Sequence, residues 1–410
     1  MKLVLLPGLI CLLLASIFAF AQAMPNTSVP PADAADVELE IRQVEQFLPK
    51  LPDRGAGLFL LAHDYAHLGK TEKAFSALQE CISLDAGFDP EGDPDLAVLK
   101  SNPKFNTLAE RVHRRYPAVH RAQTAFVIAE PDLFPEGLAE DPRSSMLYMG
   151  SLHFGKIVEI AKDGTVSDFI KAGQYSLGPI CGLKVDPVDG SVWGNTCPDS
   201  GVGAELFHFD SGGKLLKRFS PPTPGKHLFN DLVLRGPDEI YLTDSLANRA
   251  FRFDRKSHTF SELSLCRTVY YPNGIALSDD GKRLYVADAF GILKVDVKTG
   301  GCHEVEPGKS NTVSGADGLY WYKDSLVAVQ NSLGSPRIAR FRLSPDGNRV
   351  LGITILEYRT PFVSSPTTGA IVGSKFYFMS NTQIDNLKGD KILDPSKLEP
   401  VRISAIDLGP

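Results

Sequence analysis

The chain has 410 residues, a formal net charge of −6, 43% apolar and 22% charged residues. That length holds one large domain and a small one, and the acidic balance argues against a basic face for nucleic acid. Beyond the first two dozen residues no run is apolar enough for a spanning helix, so no membrane span is expected.

The first residues read as an export signal. Lys2 precedes an apolar run over residues 3–20, and Ala21-Gln22-Ala23 has the small-x-small cleavage pattern. The expected layout is a signal at 1–23, a linker at 24–36, and an exported protein, periplasmic or secreted. Pro7 and Gly8 interrupt the run, against a membrane anchor, and Ile10 before Cys11 is not the small residue of a lipid-attachment site. Asn26-Thr27-Ser28 has the form of a glycosylation acceptor, though it stands in a Pro-rich linker.

Over residues 37–120 the hydrophobic period is helical. Leu61, Ala62, Tyr65, Gly69 and Ala74 fall where a tetratricopeptide repeat places its small and aromatic packing residues. A single such repeat cannot bury its own face, so this domain must pack on flanking helices or on the rest of the chain. His63 and His67 lie one helical turn apart, with no His-Glu-x-x-His pattern to complete a metal motif, and are expected to face solvent, with metal binding the alternative reading. The acidic run at 89–95 lacks the distal Glu of an EF-hand and is expected to be a solvated loop.

Residues 125–410 follow a strand period of two. At 272–288 (PNGIALSDDGKRLYVAD) Ile275 and Leu277 alternate with small or polar neighbours, and Asp279-Asp280-Gly281-Lys282 has turn chemistry before Leu284 and Val286. A polar residue stands just ahead of the first strand. The same unit recurs six times, led by Glu136, Cys181, Asn230, Asn273, Asp317 and Thr368, about 43 to 51 residues apart. That is the period of a four-stranded propeller blade. The fold expected is mainly β: a six-bladed β-propeller at 125–410 preceded by a small α-helical, TPR-like domain.

In a propeller the first strand of each blade lines the central channel, so the six leading residues converge on one axis. Two carboxylates and two amides meeting there would be reconciled by a hard divalent cation, and six to eight oxygens is the habit of Ca2+, although another divalent ion would also suit the set.

Outside the signal five cysteines remain, an odd number. Cys181 and Cys197 flank the turn at 186–190 at nearly equal distances, which allows a disulfide across the hairpin; two buried free thiols is the other reading. No register argument pairs Cys266 or Cys302.

Four motifs, FPEGLAEDP (134–142), FNDLVL (229–234), the 272–288 stretch and GADGLYW (315–321), together resemble the SMP-30/gluconolactonase/LRE-like family of calcium-dependent six-bladed propellers. The resemblance implies that Glu136, Asn273 and Asp317 are calcium ligands, with Asn230 bound directly or through water. It also implies hydrolysis of a lactone or ester, with Asp317 activating water or attacking. Sugar-lactone hydrolases of the family tend to carry Arg two residues before the Asn of the FND motif; here that residue is Leu228, which points to a small-molecule substrate less polar than an aldonolactone.

Loops after the second strands share a face with the leading residues. They carry His153, Asn195, Asp199, Asp244, Asn248, Asp288 and Asn331, most of them expected to be turn formers. His153 is the candidate proton carrier, since its unperturbed pKa suits that work. The competing class is a non-catalytic propeller with a structural calcium, binding a ligand or, through the helical domain, a protein. An NHL-type propeller is suggested by YLTDSLANRAFRFD (241–254).

Overall fold

The computed structural model describes residues 34–308 and 311–409; the expected signal and Asn26 lie outside them. Six four-stranded antiparallel sheets follow one another along the chain, at residues 135–170, 180–219, 229–262, 275–304, 316–358 and 369–407. These are blades one to six of a propeller.

Each blade is built as the period-two reading requires. In blade four Ile275 faces Val286 and Leu277 faces Leu284 across the first hairpin, while Gly281, at φ 66°, takes the left-handed turn position that other residues reach at a cost. The apolar faces do not meet within one sheet but between neighbours. Ala139 and Tyr148 of blade one pack with Leu183, Val192 and Phe207 of blade two in one cluster, and Trp193 of blade two packs with Leu232, Ile240 and Phe253 of blade three in the next. A blade therefore has a buried face only when a neighbour is present, which is why the period must run full circle.

The circle is closed by strands from the two ends of the chain. In blade six Val401–Asp407 lies between Lys375–Met379 and Gln123–Ile128, so the earliest strand is the outer edge of the last sheet.

Among the described residues four α-helices precede the propeller: α1 (Ala34–Phe47), α2 (Arg54–His67), α3 (Thr71–Ser83) and α4 (Pro103–Arg115). No described helix is long and apolar enough to cross a membrane. Ala62, Ala74 and Leu78 are fully buried where α2 and α3 meet, and the same cluster includes Leu333 and Tyr358 of blade five. The helices thus share a core with the propeller rather than hanging from a linker.

Two aspartates fasten this union. Asp53 caps α2 through the Ala56 amide at 3.2 Å, and its other oxygen accepts from the hydroxyls of Thr312 and Ser314, just ahead of blade five. Asp89, fully buried, accepts from Ser335 Oγ at 2.7 Å and Tyr358 Oη at 3.2 Å, and its amide donates to the Leu333 carbonyl at 2.8 Å. A Cβ on Gly92 would stand 2.2 Å from the Ser335 backbone nitrogen, so only glycine allows this loop to lie flat on blade five. The segment expected to be a solvated loop is in fact the docking surface, because Asp89 finds donors on blade five, and Asp93 and Asp95 find the histidines of α2, in place of water.

Candidate metal centre at the propeller hub

The ladder of the first hairpin breaks at the same place in four blades. The register shifts between Glu136 and Leu138, Ile180 and Leu183, Phe229 and Leu232, and Ala316 and Gly318. In blade four the strand starts only at Ile275, after Asn273. A bulge re-aims the side chain it frees. Phe134 and Tyr271, each followed by a proline and then by Glu136 or Asn273, both adopt left-handed backbone with φ of 45° and 50°.

Backbone contacts around the axis close a ring of six. A Cβ on Gly137 would stand 1.7 Å from the Cys181 carbonyl oxygen, one on Gly182 3.0 Å from that of Asn230, one on Gly274 2.7 Å from that of Asp317, and one on Gly318 3.0 Å from that of Thr367. Thr243 Oγ1 donates to the Asn273 carbonyl at 2.7 Å, and the Gly137 amide donates to Thr368 Oγ1 at 3.1 Å, joining blade one to blade six. The glycine after each leading residue is what lets neighbouring blades touch there. Blade three has Asp231 in the glycine's place; its carboxylate accepts from the Leu232 amide at 2.8 Å and pairs with Lys184 Nζ at 3.2 Å.

Glu136, Asn230, Asn273 and Asp317 are all buried at this hub, at 5 to 9% exposure. Asn273 Nδ2 donates to Asp317 Oδ1 at 2.7 Å, and Asn331 Nδ2 donates to Asp317 Oδ2 at 2.5 Å and to the Pro366 carbonyl at 3.2 Å. Asn230 Nδ2 donates to Ser245 Oγ at 3.0 Å. With its amide nitrogen pinned on Asp317, Asn273 has its amide oxygen left over. Among the described residues Asn273 Oδ1 and Glu136 Oε2 are buried without a hydrogen-bond partner. Burial, followed by the charge of Asp317, pushes the Glu136 carboxyl well above its usual range, with Thr367 opposing and Asp231 adding to the rise. Burial pushes Asp317 up to about 7, against the lowering donors Asn331 and Asn273. Unsatisfied carboxylate and amide oxygens at one buried point are costly, and they are the donor set a hard dication takes. The residues fit such an ion.

Two different walls rise from the hub. One is apolar: Leu228, Leu246 and the Cys181–Cys197 disulfide, with Leu152 and Tyr271 packed on them. Burial, then the charges of Asp317, Asp199 and Glu136, raise the Tyr271 phenol, which places it within their reach. The other wall is the helical domain. A cleft of about 720 Å³, its open mouth included, runs between Phe59, His63 and Asp93 on one side and Phe290, Ser314 and Asn331 on the other.

The remaining loop residues are placed as follows. His153 Nδ1 donates to the Asp132 carbonyl at 3.0 Å and its ring packs edge-on against Phe134, with no hydrogen bond to the hub quartet among the described residues. Asn248 Oδ1 accepts from the Tyr271 amide at 2.8 Å, Asn195 Oδ1 from the Gly182 amide at 2.8 Å, and Asp288 is paired with Arg267 at 3.0 Å. Asp244 holds His227 at 2.5 Å. Of the loop set Asn331 reaches a hub carboxylate. Ser245, Asp231 and Thr367 complete the surroundings without having stood out in the sequence: Asp231 and Thr367 sit beside a leading residue rather than at one, and Ser245 follows the second strand of blade three.

His63 departs from expectation. It is buried at 6% exposure with Nδ1 facing Asp93 at 3.2 Å and Nε2 facing Asp95 at 3.2 Å, because the 89–95 loop folds over α2 and shuts out solvent. A second disulfide, Cys266–Cys302, had no register argument behind it. It ties the segment after blade three to the outer strand of blade four.

No protein-family model and no curated protein matches the chain. Among solved structures it is similar to a gluconolactonase from Xanthomonas campestris, at TM-score 0.50 and 15% identity over 70% of this chain and 89% of that one. Virginiamycin B lyase from Staphylococcus aureus follows at TM-score 0.47 and 18% identity, over 63% and 82% of the two chains. At such identities the likeness is one of fold, and the fold is the propeller.

Proposed function

We propose that this protein is a calcium-dependent hydrolase of the SMP-30/gluconolactonase type acting on a lactone or ester. The observation that carries the reading is the hub itself: two carboxylates and two asparagine oxygens, buried together, with Asn273 Oδ1 and Glu136 Oε2 left without donors. Glu136, Asn230, Asn273 and Asp317 would hold the ion. A bound Ca2+ supplies Lewis-acid polarisation of a substrate carbonyl.

The protein's own groups do the rest. Asp317, held between two amides, takes a proton from water as its oxygen bonds to the carbonyl carbon; the ring or ester C–O bond then breaks and the proton passes to the departing oxygen. His153 is the proposed carrier that returns protons to solvent, its Nδ1 fixed on Asp132 so that Nε2 is the free end. Leu228, Leu246 and Tyr271 give the substrate an apolar seat, which favours an acyl or aryl group over a polyhydroxylated sugar acid. Export follows from the signal pattern.

The test is a panel of aldonolactones, alkyl and aryl lactones, aryl esters and phosphotriesters, assayed with calcium and again with chelator. Chelator-sensitive turnover, strongest on the less polar lactones or esters, is expected. No such turnover on any member favours the binding propeller with a structural ion.

A further inference from the structure

A second group of ligating side chains lies in the helical domain. His63 and His67 project from one face of α2, and the 93–95 loop stands over them: His63 Nε2 is 3.2 Å from Asp95 Oδ2, and His67 Nδ1 is 3.5 Å from Asp95 Oδ1. Two donors each about 2.0–2.1 Å from a first-row ion are roughly 3.4 Å apart at a tetrahedral angle. Each imidazole thus stands about one such edge from the Asp95 carboxylate, His63 at one oxygen and His67 at the other, and His63, Asp93 and Asp95 can each offer a ligand atom within 4.8 Å of the other two. Asp93 sits behind His63, with Nδ1 at 3.2 Å, and is itself fixed by the amides of Asp95 at 2.9 Å and Leu96 at 3.1 Å. A carboxylate holding the far nitrogen of an imidazole is the usual support of a metal-binding histidine.

The charge in the surroundings points the same way. Asp64 and Glu40, each 4% exposed, stand in electrostatic reach of His63. Among the described residues, Asp64 Oδ2, Asp95 Oδ2 and Glu40 Oε1 are buried without a hydrogen-bond donor. Buried acceptors left without donors are costly, and a bound cation would satisfy them.

We propose that His63, His67 and Asp95 form a site for a divalent transition-metal ion such as Zn2+, oriented by Asp93 and distinct from the hub. Imidazole with carboxylate selects zinc, iron or nickel over calcium, so the two sites divide the metals between them. His63 and Asp93 also line the cleft that reaches Asn331, so this ion would stand at the helical wall of the same cleft. It would clamp α2 to the loop that docks on blade five.

Co2+ serves as the probe, because it replaces zinc and gives visible absorption bands when bound by imidazole. The full-length protein is stripped with chelator and titrated with Co2+ in excess Ca2+, both as wild type and as Glu136→Gln/Asp317→Asn to silence the hub. One equivalent with bands in both proteins, displaced by Zn2+, is expected. His67→Gln/Asp95→Asn, at the partly exposed edge of the group, should weaken uptake at least tenfold while leaving the circular dichroism spectrum unchanged. A wild-type chain that takes up no Co2+ overturns the proposal, and needs no variant to do so. Undiminished bands in the His67→Gln/Asp95→Asn protein overturn it equally.

Discussion

Asn273 Nδ2 donates to Asp317 Oδ1 at 2.7 Å, from blade four to blade five, and the bond leaves Asn273 Oδ1 buried with nothing to accept from. One residue thus steadies a carboxylate with one end and offers an oxygen to the axis with the other. Asn273→Asp keeps the axial oxygen but replaces the donor with a second oxygen and adds a negative charge. Calcium affinity measured by calorimetry should persist, whereas the melting temperature of calcium-free protein should fall by several degrees from carboxylate repulsion.

Asp317→Asn tests the chemistry. It removes the proton acceptor and one of two hub charges, so chelator-sensitive turnover should fall by roughly a hundredfold or more. Calcium should raise the melting temperature less than in wild type. Full turnover with retained calcium binding would take Asp317 out of the mechanism.

The same carboxyl sets a pH dependence. In metal-free protein Asp317 is pushed up to about 7, from an ordinary value near 3.8. Between those values the folded chain holds a proton that the unfolded chain releases, so this group's contribution to stability is full in acid and is lost as pH rises towards 7. Calcium favours the ionised form, so its affinity should climb over the same window. Melting curves from pH 4 to about 8, with and without calcium, should converge in acid and separate near neutrality. Asp317→Asn should flatten the metal-free trend.

Asp53→Ala loosens the helical domain. It deletes a helix cap and the acceptor for the Thr312 and Ser314 hydroxyls, a loss of roughly 2 kcal/mol in chemical denaturation. Since Ser314 lines the cleft, KM should rise more than kcat falls.

Cysteine labelling is simple to forecast. Cys81 is fully buried, and burial raises its thiol well above the usual range, so native protein should react slowly. Of the five described cysteines, one should label after denaturation and all five after reduction.

The propeller and its hub were legible because they repeat. Six copies of one pattern fix the blade period, and the residue ahead of each first strand has a definite place in a ring before any coordinates exist. Cys181 and Cys197 could be paired for the same reason, being placed by a turn within one hairpin. His63 and the 89–95 loop were not legible. Helical periodicity shows which face of α2 is apolar, but a polar residue on the other face is buried only by something distant in sequence, here a loop fastened to Ser335 and Tyr358. Cys266–Cys302 was hidden likewise, since one partner lies in an irregular stretch with no strand register to count from.

The pairing of Gln123–Ile128 with Val401–Asp407 imposes an order of assembly. An emerging polypeptide presents an unmatched strand edge from its early part until the final segment arrives to cover it. Such long-range pairing is slow and exposes sticky intermediates. A chain cut before residue 401 should accordingly accumulate as aggregate rather than as a five-bladed ring.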